Sequence, residues 1–303
     1  RMTGPDAFRN DPLRVFRAFR FSAALGFDIE SATLKEAHRC SGLVSGTAGE
    51  RIRTELELFL SEEHISSLAG ELISTGAIDP LFPGRIHMKA RPTRGVKAGR
   101  TVLACVEALL EKPEKVCGPS SHIAAQILNE APRRFLVKLA AFLLDAIGVY
   151  TIETVNDAAG CLRMPRKQSD VLRLLASGYH FLQRSGLLED VEGEGVEWFR
   201  MMGDETLGAS ILAMAAAEAG GRSNVPRLRI KTAAVRYLSG LRESFSHPPL
   251  VSGKDLMKLG VVSGPAVGEV LKHVRNAQDR GEVSNREEAI RLAWKVYLQK
   301  NFF

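Results

Sequence analysis

The sequence predicts an all-α protein, and three observations support this. Apolar residues recur every three or four positions through most of the 303-residue chain, as they do on one face of a helix. Alternating apolar and polar runs, which are typical of strands, are sparse. The composition, with 45% hydrophobic and 25% charged residues, is that of a folded globular protein. No run approaches the roughly 18 apolar residues that a membrane-spanning helix needs.

The first informative helix lies within residues 11–30. Four apolar residues have the spacing of one buried face: Leu13, Phe16, Phe19 and Ala23. Gly26 is expected to end the helix. Three arginines recur every three residues beside this face: Arg14, Arg17 and Arg20. Because neighbouring like charges on a helix repel one another, anionic groups are expected to lie against this cationic stripe.

The spacing of Asp11 and Arg14 would allow the two side chains to bind one nucleobase together. Three residues apart on a helix, a carboxylate acceptor and a guanidinium donor point the same way. Cytosine and adenine each present an amine donor beside a ring-nitrogen acceptor, whereas guanine and uracil present the reverse. Such a pair would accept C and A and leave polar groups unpaired against G and U. The simpler alternative makes Asp11 an N-cap before Pro12, with Arg14 in a local ion pair.

Further helices are expected along the whole chain. The predicted segments are 29–42 with Ser31 as N-cap, 49–59 with Ile52, Leu56 and Phe59 facing inward, 67–78, 101–110, 133–147, two helices within 157–181 around a turn, 207–219, one ending at Gly281 and one opened by residues 284–289. The helix at 207–219 is rich in small residues, which suits close packing. The acidic, glycine-rich stretch 189–197 is expected to be a linker or a loop.

The charge distribution favours a polyanionic partner. The net charge is +6, and two stretches, 85–100 and 222–242, are rich in Lys and Arg. RNA-contact candidates in these stretches and near the C-terminus are Arg91, Arg94, Lys97, Arg227, Arg229, Lys231 and Lys254. A solvated linker is the alternative for 85–100. The four cysteines have no metal-ligand spacing and are expected to be buried thiols.

The motifs of the first 60 residues resemble those of a known family. DPLRxxRxxRF at 11–21, Leu-Gly-Phe at 25–27, Thr33, Glu-Arg-Ile at 50–52 and Glu-Leu at 55–56 occur in this order. This arrangement is similar to the neck of class II (bacterial-type) tRNA nucleotidyltransferases, the CCA-adding enzymes and related poly(A) polymerases. The resemblance implies an elongated all-α chain with a neck at 1–84, a helical body at 85–190 and an RNA-binding tail at 191–303.

The resemblance also implies roles for individual residues. Asp11 and Arg14 would select the nucleobase, and Arg17 would contact the triphosphate or orient the pair. Neck support is implied for Asn10, Arg20, Glu50 and Arg51. Asn10 departs from the family pattern, which usually has Glu at this position, so its effect on nucleotide preference is an open question.

The body implied by the resemblance is a degenerate form of the HD-type metal-dependent phosphohydrolases. A working HD site needs histidines where this chain has Arg100 and Leu144, and neither residue can ligate a metal. Asp145 is therefore expected to be a helix-end cap or an ion-pair partner, and no metal site is predicted.

The implied function is template-independent addition of C or A to tRNA 3′ ends, with tRNA, ATP and CTP as partners in the cytoplasm and no membrane association. Mg²⁺ is expected in the full enzyme, held mainly by a catalytic head with paired carboxylates. The sequence has no Asp-x-Asp pair, so no catalytic residue is assigned to this chain, which is expected to be inactive alone. The alternatives are a poly(A) polymerase, a non-catalytic RNA-binding protein and a degenerate HD scaffold. The sequence predicts no particular oligomeric state.

Overall fold

A computed structural model describes residues 4, 6–82, 101–130, 132–183, 194–219, 227–258, 260 and 264–300, with side chains excluded at 194–196 and 300. These residues form helices and no strand, which confirms the predicted all-α class. Two compact units are present: residues 1–185 with 205–234, and residues 186–204 with 235–303. The three-part division at residues 84 and 190 stays a prediction.

Among the described residues, the first unit contains twelve complete α-helices and most of a thirteenth, α14, of which residues 227–234 belong to this unit. They are α1 (Ala7–Asn10), α2 (Arg14–Leu25), α3 (Ser31–Cys40), α4 (Gly49–Ser61), α5 (Ser66–Ser74), α6 (Val102–Glu111), α7 (Glu114–Cys117), α8 (Ser121–Asn129), α9 (Arg133–Ile147), α10 (Ile152–Cys161), α11 (Arg166–Gln183), α13 (Glu205–Glu218) and α14 (Arg227–Arg236). Short 3₁₀ turns join some of them. The helix α12 (Glu194–Met202), which precedes α13 in the chain, belongs to the second unit.

The helix α2 begins and ends for local reasons. Leu13 occupies the N-cap position, so the interpretation of Asp11 as an N-cap is wrong. Gly26 ends the helix in the left-handed conformation with φ of 67°, as predicted, because glycine adopts positive φ without steric cost. Ser22 donates a hydrogen bond to the carbonyl of Phe27, and it is buried where the pattern had placed Ala23.

The core of the first unit surrounds α13. Twelve consecutive residues of this helix, 205–216, are buried, and it packs against α6, α9 and α11. A Cβ atom at Gly208 would lie 2.8 Å from Leu175 Cδ2, so glycine permits close contact with α11. This confirms the predicted close packing. The predicted inward face of α4, Ile52, Leu56 and Phe59, is also buried.

The second unit contains α12 (Glu194–Met202), a π-helical turn (Tyr237–Leu241), α15 (Arg242–Ser246), α16 (Gly253–Lys258), α17 (Pro265–Asp279) and α18 (Arg286–Lys300). The prediction of a linker through residue 197 is wrong for residues 194–197, which form the start of α12. An apolar cluster that includes Leu256, Val270, Val274 and Ala289 joins α16, α17 and α18.

Charged side chains in the interior of each unit are paired. In the first unit, Lys138 Nζ lies 3.0 Å from Glu107 Oε1, and both side chains are 7% exposed. In the second, the fully buried Asp279 accepts from Arg200 and also pairs with Arg275. Such pairing offsets the cost of removing these charges from water.

One bent pair of helices, α9 with α10, has the combined length and apolar character of a membrane span. The two are inclined at 108°, and no single helix among the described residues passes the same test.

Candidate nucleobase-binding site

Asp11 lies at the centre of an arginine cluster at the start of the first unit. It follows α1 directly, and its carboxylate is 22% exposed. Oδ2 lies 3.4 Å from Arg17 Nη1 and 4.0 Å from Arg14 Nε, while Oδ1 lies 3.6 Å from Arg51 Nη2. The short helices α1 and α2, with the Pro12 turn between them, place this acid at the N-terminal end of the arginine stripe.

Glu55 neutralises the other end of the stripe. Its Oε1 accepts from Arg17 Nε at 2.8 Å, and its Oε2 accepts from Arg20 Nε at 2.7 Å. The Glu55 side chain is only 9% exposed. The expected anionic groups are therefore supplied from within the chain, by Asp11 and Glu55. The hydrogen bond to Glu55 raises the pKa of Arg17 above its ordinary value, so this guanidinium stays charged.

Arg14 is the most exposed arginine of the stripe. Its side chain is 46% exposed, and Nη1 makes a long hydrogen bond of 3.4 Å to the carbonyl of Ala7. Arg14 and Arg17 also line a cleft of about 500 Å³. Its other walls include the apolar side chains Phe21, Leu25 and Phe27. A cleft of this volume lies within the usual range for small-ligand pockets.

The predicted support residues are placed differently from one another. Arg51 contacts Asp11, and Arg20 contacts Glu55, so both belong to the cluster. Asn10 is exposed at the end of α1. Glu50 pairs instead with Arg163 at 3.5 Å, in the turn between α10 and α11. The prediction did not include Glu55 among the site residues, although the Glu-Leu motif at 55–56 contained it.

The predicted RNA contacts are only partly described. Arg91, Arg94 and Lys97 lie outside the described residues. Arg227, Arg229 and Lys231 lie on α14 of the first unit, where Arg227 is 3.9 Å from Glu218. Lys254 is exposed on α16 of the second unit. The structure therefore brings three of the seven candidates together on one helix.

Asp145 is a helix cap, as predicted. Its two carboxylate oxygens accept from the backbone N–H groups of Val102 and Leu103, each at 2.9 Å, at the N-terminus of α6. A carboxylate here satisfies free N–H groups and the positive end of the helix dipole. Leu144 beside it is buried in the core. This geometry occupies Asp145 without any metal.

The described residues do not fit a metal ion. They contain no group of three or more His, Cys, Asp or Glu side chains with suitable geometry. In the arginine cluster, both oxygens of Asp11 and both oxygens of Glu55 already face guanidinium groups. All four cysteines are free thiols, three buried and Cys161 partly exposed.

Comparison with known proteins connects this site to a family. Residues 26–87 match the family described as "Probable RNA and SrmB-binding site of polymerase A". The CC-adding tRNA nucleotidyltransferase of Geobacter sulfurreducens is 30% identical over 297 residues, which cover 96% of this chain and 65% of that protein. The A-adding tRNA nucleotidyltransferase of Deinococcus radiodurans is 28% identical and is matched over 95% of this chain and 69% of its own length.

Solved structures share the fold. The Bacillus stearothermophilus CCA-adding enzyme in complex with CTP aligns with a TM-score of 0.64 at 21% identity, covering 99% of this chain and 65% of that one. The Thermotoga maritima CCA-adding enzyme complexed with tRNA aligns with a TM-score of 0.57 at 18% identity, covering 97% and 63%. The chain therefore shares its helical fold with these solved structures.

Over nearly its whole length the chain is therefore similar to class II tRNA nucleotidyltransferases, the CCA-adding enzymes and their CC-adding and A-adding relatives. It spans about 65% of the length of the Geobacter CC-adding relative.

Proposed function

We propose that this chain forms the nucleobase-selecting and RNA-holding part of an enzyme that adds C or A to tRNA 3′ ends. The observation that carries the proposal is the arginine cluster, in which Asp11 and Arg14 stand side by side at a partly exposed surface. The names of the relatives, which add C or A to tRNA, support the same reaction.

The cluster can select a base through the fixed Asp11 and the exposed Arg14. A carboxylate has about four lone-pair positions, so Asp11 can accept from a base amine while its arginine contacts persist. Those contacts are long, at 3.4 to 4.0 Å, which leaves room for a closer donor. Arg14 would donate to the neighbouring ring nitrogen. C and A match this pattern, and G and U would set donor against donor.

Arg17 and Arg20 serve a different purpose in this proposal. Glu55 holds both guanidinium groups, so Arg17 reaches Asp11 from a fixed position. Arg51 holds the other oxygen of Asp11. The carboxylate is thus prevented from rotating, and preorganised groups discriminate better because they do not readjust to a wrong base.

In this proposal, the residues that carry out phosphoryl transfer are not those of this chain. That reaction requires metal ions held by carboxylates at the reacting phosphate. We propose that these carboxylates lie in the portion of the relatives that this chain does not cover. The basic face of α14 and the exposed Lys254 would contact RNA phosphates, each within its own unit.

The test is nucleotide binding to the whole 303-residue chain, measured by saturation-transfer NMR with CTP, ATP, UTP and GTP. CTP and ATP should bind more tightly than UTP and GTP by about tenfold, since a bidentate base contact contributes about 1–3 kcal/mol of discrimination. Asp11→Ala and Arg14→Ala should each remove this preference.

The matched control is the neighbouring pair Asp6 and Arg9. It has the same spacing of three residues, lies 3.9 Å apart and is more than half exposed. Asp6→Ala and Arg9→Ala should leave the preference unchanged. Equal binding of all four nucleotides by the unaltered chain, or equal effects of the two pairs of substitutions, would contradict the proposal.

A second candidate is the addition of A to RNA 3′ ends in general. The description of the matched family, which names polymerase A, favours it. This candidate predicts no preference for the folded shape of tRNA, and the RNA-binding measurement proposed in the Discussion separates the two.

A further inference from the structure

The turn between α10 and α11 contacts the N-terminal end of α4 unusually closely. A Cβ atom at Gly49 would overlap the carbonyl oxygen of Cys161 and would lie 2.9 Å from its carbonyl carbon and 3.3 Å from that of Leu162. These are backbone atoms, which cannot move aside as a flexible side chain would. Gly49 is itself buried. The first residue of α4 therefore packs directly against the backbone of this turn.

A second contact, from Arg53 to Arg163, also holds α4 against this turn. Arg53 Nη1 donates to the carbonyl of Arg163. Arg163 has φ of 45°, a left-handed conformation that residues other than glycine adopt at an energetic cost. This conformation directs the Arg163 carbonyl towards α4. The Arg163 side chain, 72% exposed, pairs only weakly with Glu50, so the backbone supplies most of the contact.

The same helix carries the two side chains that hold the arginine cluster. Arg51 contacts Asp11, and Glu55 receives hydrogen bonds from Arg17 and Arg20. Gly49 and Glu55 are about 9 Å apart along the axis, at 1.5 Å per residue. A helix is stiff over this distance, so a displacement of its first turn displaces Arg51 and Glu55 as well.

We propose that residues 161–163 position the nucleobase-selecting cluster through α4, with Gly49, Arg53 and Arg163 as positioning residues. This inference rests on the function proposed above for Asp11 and Arg14. It makes the turn between α10 and α11, far from Asp11 in sequence, a determinant of base preference.

The experiment uses the whole chain with ¹⁵N-labelled arginine, and it follows the Nε–H signals of Arg17 and Arg20. Both groups donate to Glu55, so their signals report the position of α4. Gly49→Ala and Arg163→Val are compared with two controls. Gly160→Ala adds a methyl group in the same region but with no atom within 4 Å, and Arg163→Gly keeps the left-handed conformation at no cost.

We expect Gly49→Ala and Arg163→Val to shift both signals and to reduce the preference for CTP over UTP about tenfold, because small displacements of positioning groups have large effects. In the two controls, the Nε–H signals should not shift, and the preference for CTP over UTP should stay within twofold of that of the unaltered chain. If Gly49→Ala does not fold, Arg53→Met, which removes the donor without adding bulk, decides the question.

Unchanged Nε–H signals in the folded Gly49→Ala and Arg163→Val variants would overturn the inference, even if their melting temperatures fall. Equal shifts in the controls would also overturn it. If the unaltered chain shows no base preference, the proposed function fails, but the Nε–H signals still determine whether the turn positions the cluster.

Discussion

At the scale of single residues, Glu55 has the largest influence on the candidate site. Among the described residues it is the one acid that accepts hydrogen bonds from both Arg17 and Arg20, and it is almost fully buried. Without it, two guanidinium groups would lie side by side with no buried counter-charge. The charge balance of α2 therefore depends on a residue more than 30 positions away in the sequence.

Glu55→Gln should destabilise the first unit by about 2 kcal/mol, because a hydrogen bond to a charged group is worth more than a neutral one and an arginine is left partly unpaired. Urea unfolding followed by far-UV circular dichroism measures the loss. Glu57→Gln, on the same helix, is the control and should change stability by less than about 0.5 kcal/mol. A loss no greater than that of the control would mean that water replaces the carboxylate.

At the scale of helices, acids located far away in the sequence hold the helix ends. Glu107 of α6 accepts from the backbone N–H groups of Ile65 and Ser66 at the start of α5, at 3.1 and 3.3 Å. Lys138 of α9 pairs with Glu107 and also donates to the carbonyl of Glu62, the C-cap residue of α4. A single buried ion pair thus joins four helices.

Lys138→Met should cost about 3–5 kcal/mol, because it leaves the charge of Glu107 buried without its partner. The double variant Glu107→Gln/Lys138→Met should lose less than the sum of the two single losses, since the stranded charge is removed. Urea unfolding of all three variants gives the coupling energy. Additive losses would show that the two side chains act independently.

Two helices of the second unit begin with acid caps. Asp255 accepts from the backbone N–H of Ser252 at 2.9 Å before α16, and Glu288 accepts from that of Ser284 at 2.8 Å at the start of α18. Hydrogen bonds from Ser252 lower the pKa of Asp255 below its ordinary value, and the bond from the Ser252 side chain has the larger effect. Hydrogen bonds from Ser284 lower the pKa of Glu288, and the bond from the Ser284 backbone has the larger effect.

Because these pKa values are lower in the folded state, the two acids stabilise it above their ordinary pKa of about 4 and cease to do so as the pH falls through the folded-state values. Asp255→Asn/Glu288→Gln should therefore lower stability at pH 7, and this deficit should shrink as the pH falls below about 4. Tryptophan fluorescence follows this unit, because both tryptophans, Trp198 and Trp294, belong to it. Glu287→Gln is the control, and a deficit that does not shrink as the pH falls below about 4 would contradict the linkage.

At the scale of the whole molecule, the positive charge supports the proposal of an RNA partner. The net charge is +6, with 41 basic and 35 acidic residues. In A-form RNA the phosphates and the shape of the helix are more accessible than the base edges. A protein that holds a tRNA arm therefore recognises the shape of the arm and not its sequence. Preference for tRNA over other RNA is therefore the property that distinguishes the proposed function from general RNA binding.

The chain should bind tRNA lacking its 3′ end more tightly than an unstructured RNA of equal length, and the affinity should fall steeply with salt. Arg227→Ala/Lys231→Ala, one turn apart on α14, should reduce the slope of log K against log salt by about 1.5, since each phosphate contact contributes about 0.7–0.9. Arg166→Ala/Lys167→Ala, at the exposed start of α11, should leave the slope unchanged. Equal, weak binding to both RNAs would exclude a body and tail built to hold tRNA.

Much of the helical structure could be predicted from the sequence. The bounds of α9 at 133–147, the start of α4 at Gly49 and the end of α2 at Gly26 agree with the structure. These features depend on neighbours within one or two turns, so apolar spacing and a glycine with positive φ are enough to indicate them. The arginine stripe and the family motifs are local patterns of the same kind.

Tertiary structure alone decided what holds those helices and the site together. Glu55 meets its arginines across 35 and 38 residues, Glu107 meets Ile65 across 42, and Gly49 meets a backbone more than 100 residues away. No periodicity connects such residues, because the contacts form only when separate helices pack. The sequence by itself determined which side chains we propose for base recognition, and the packing of α4 against α2 and the 161–163 turn determined how they are held.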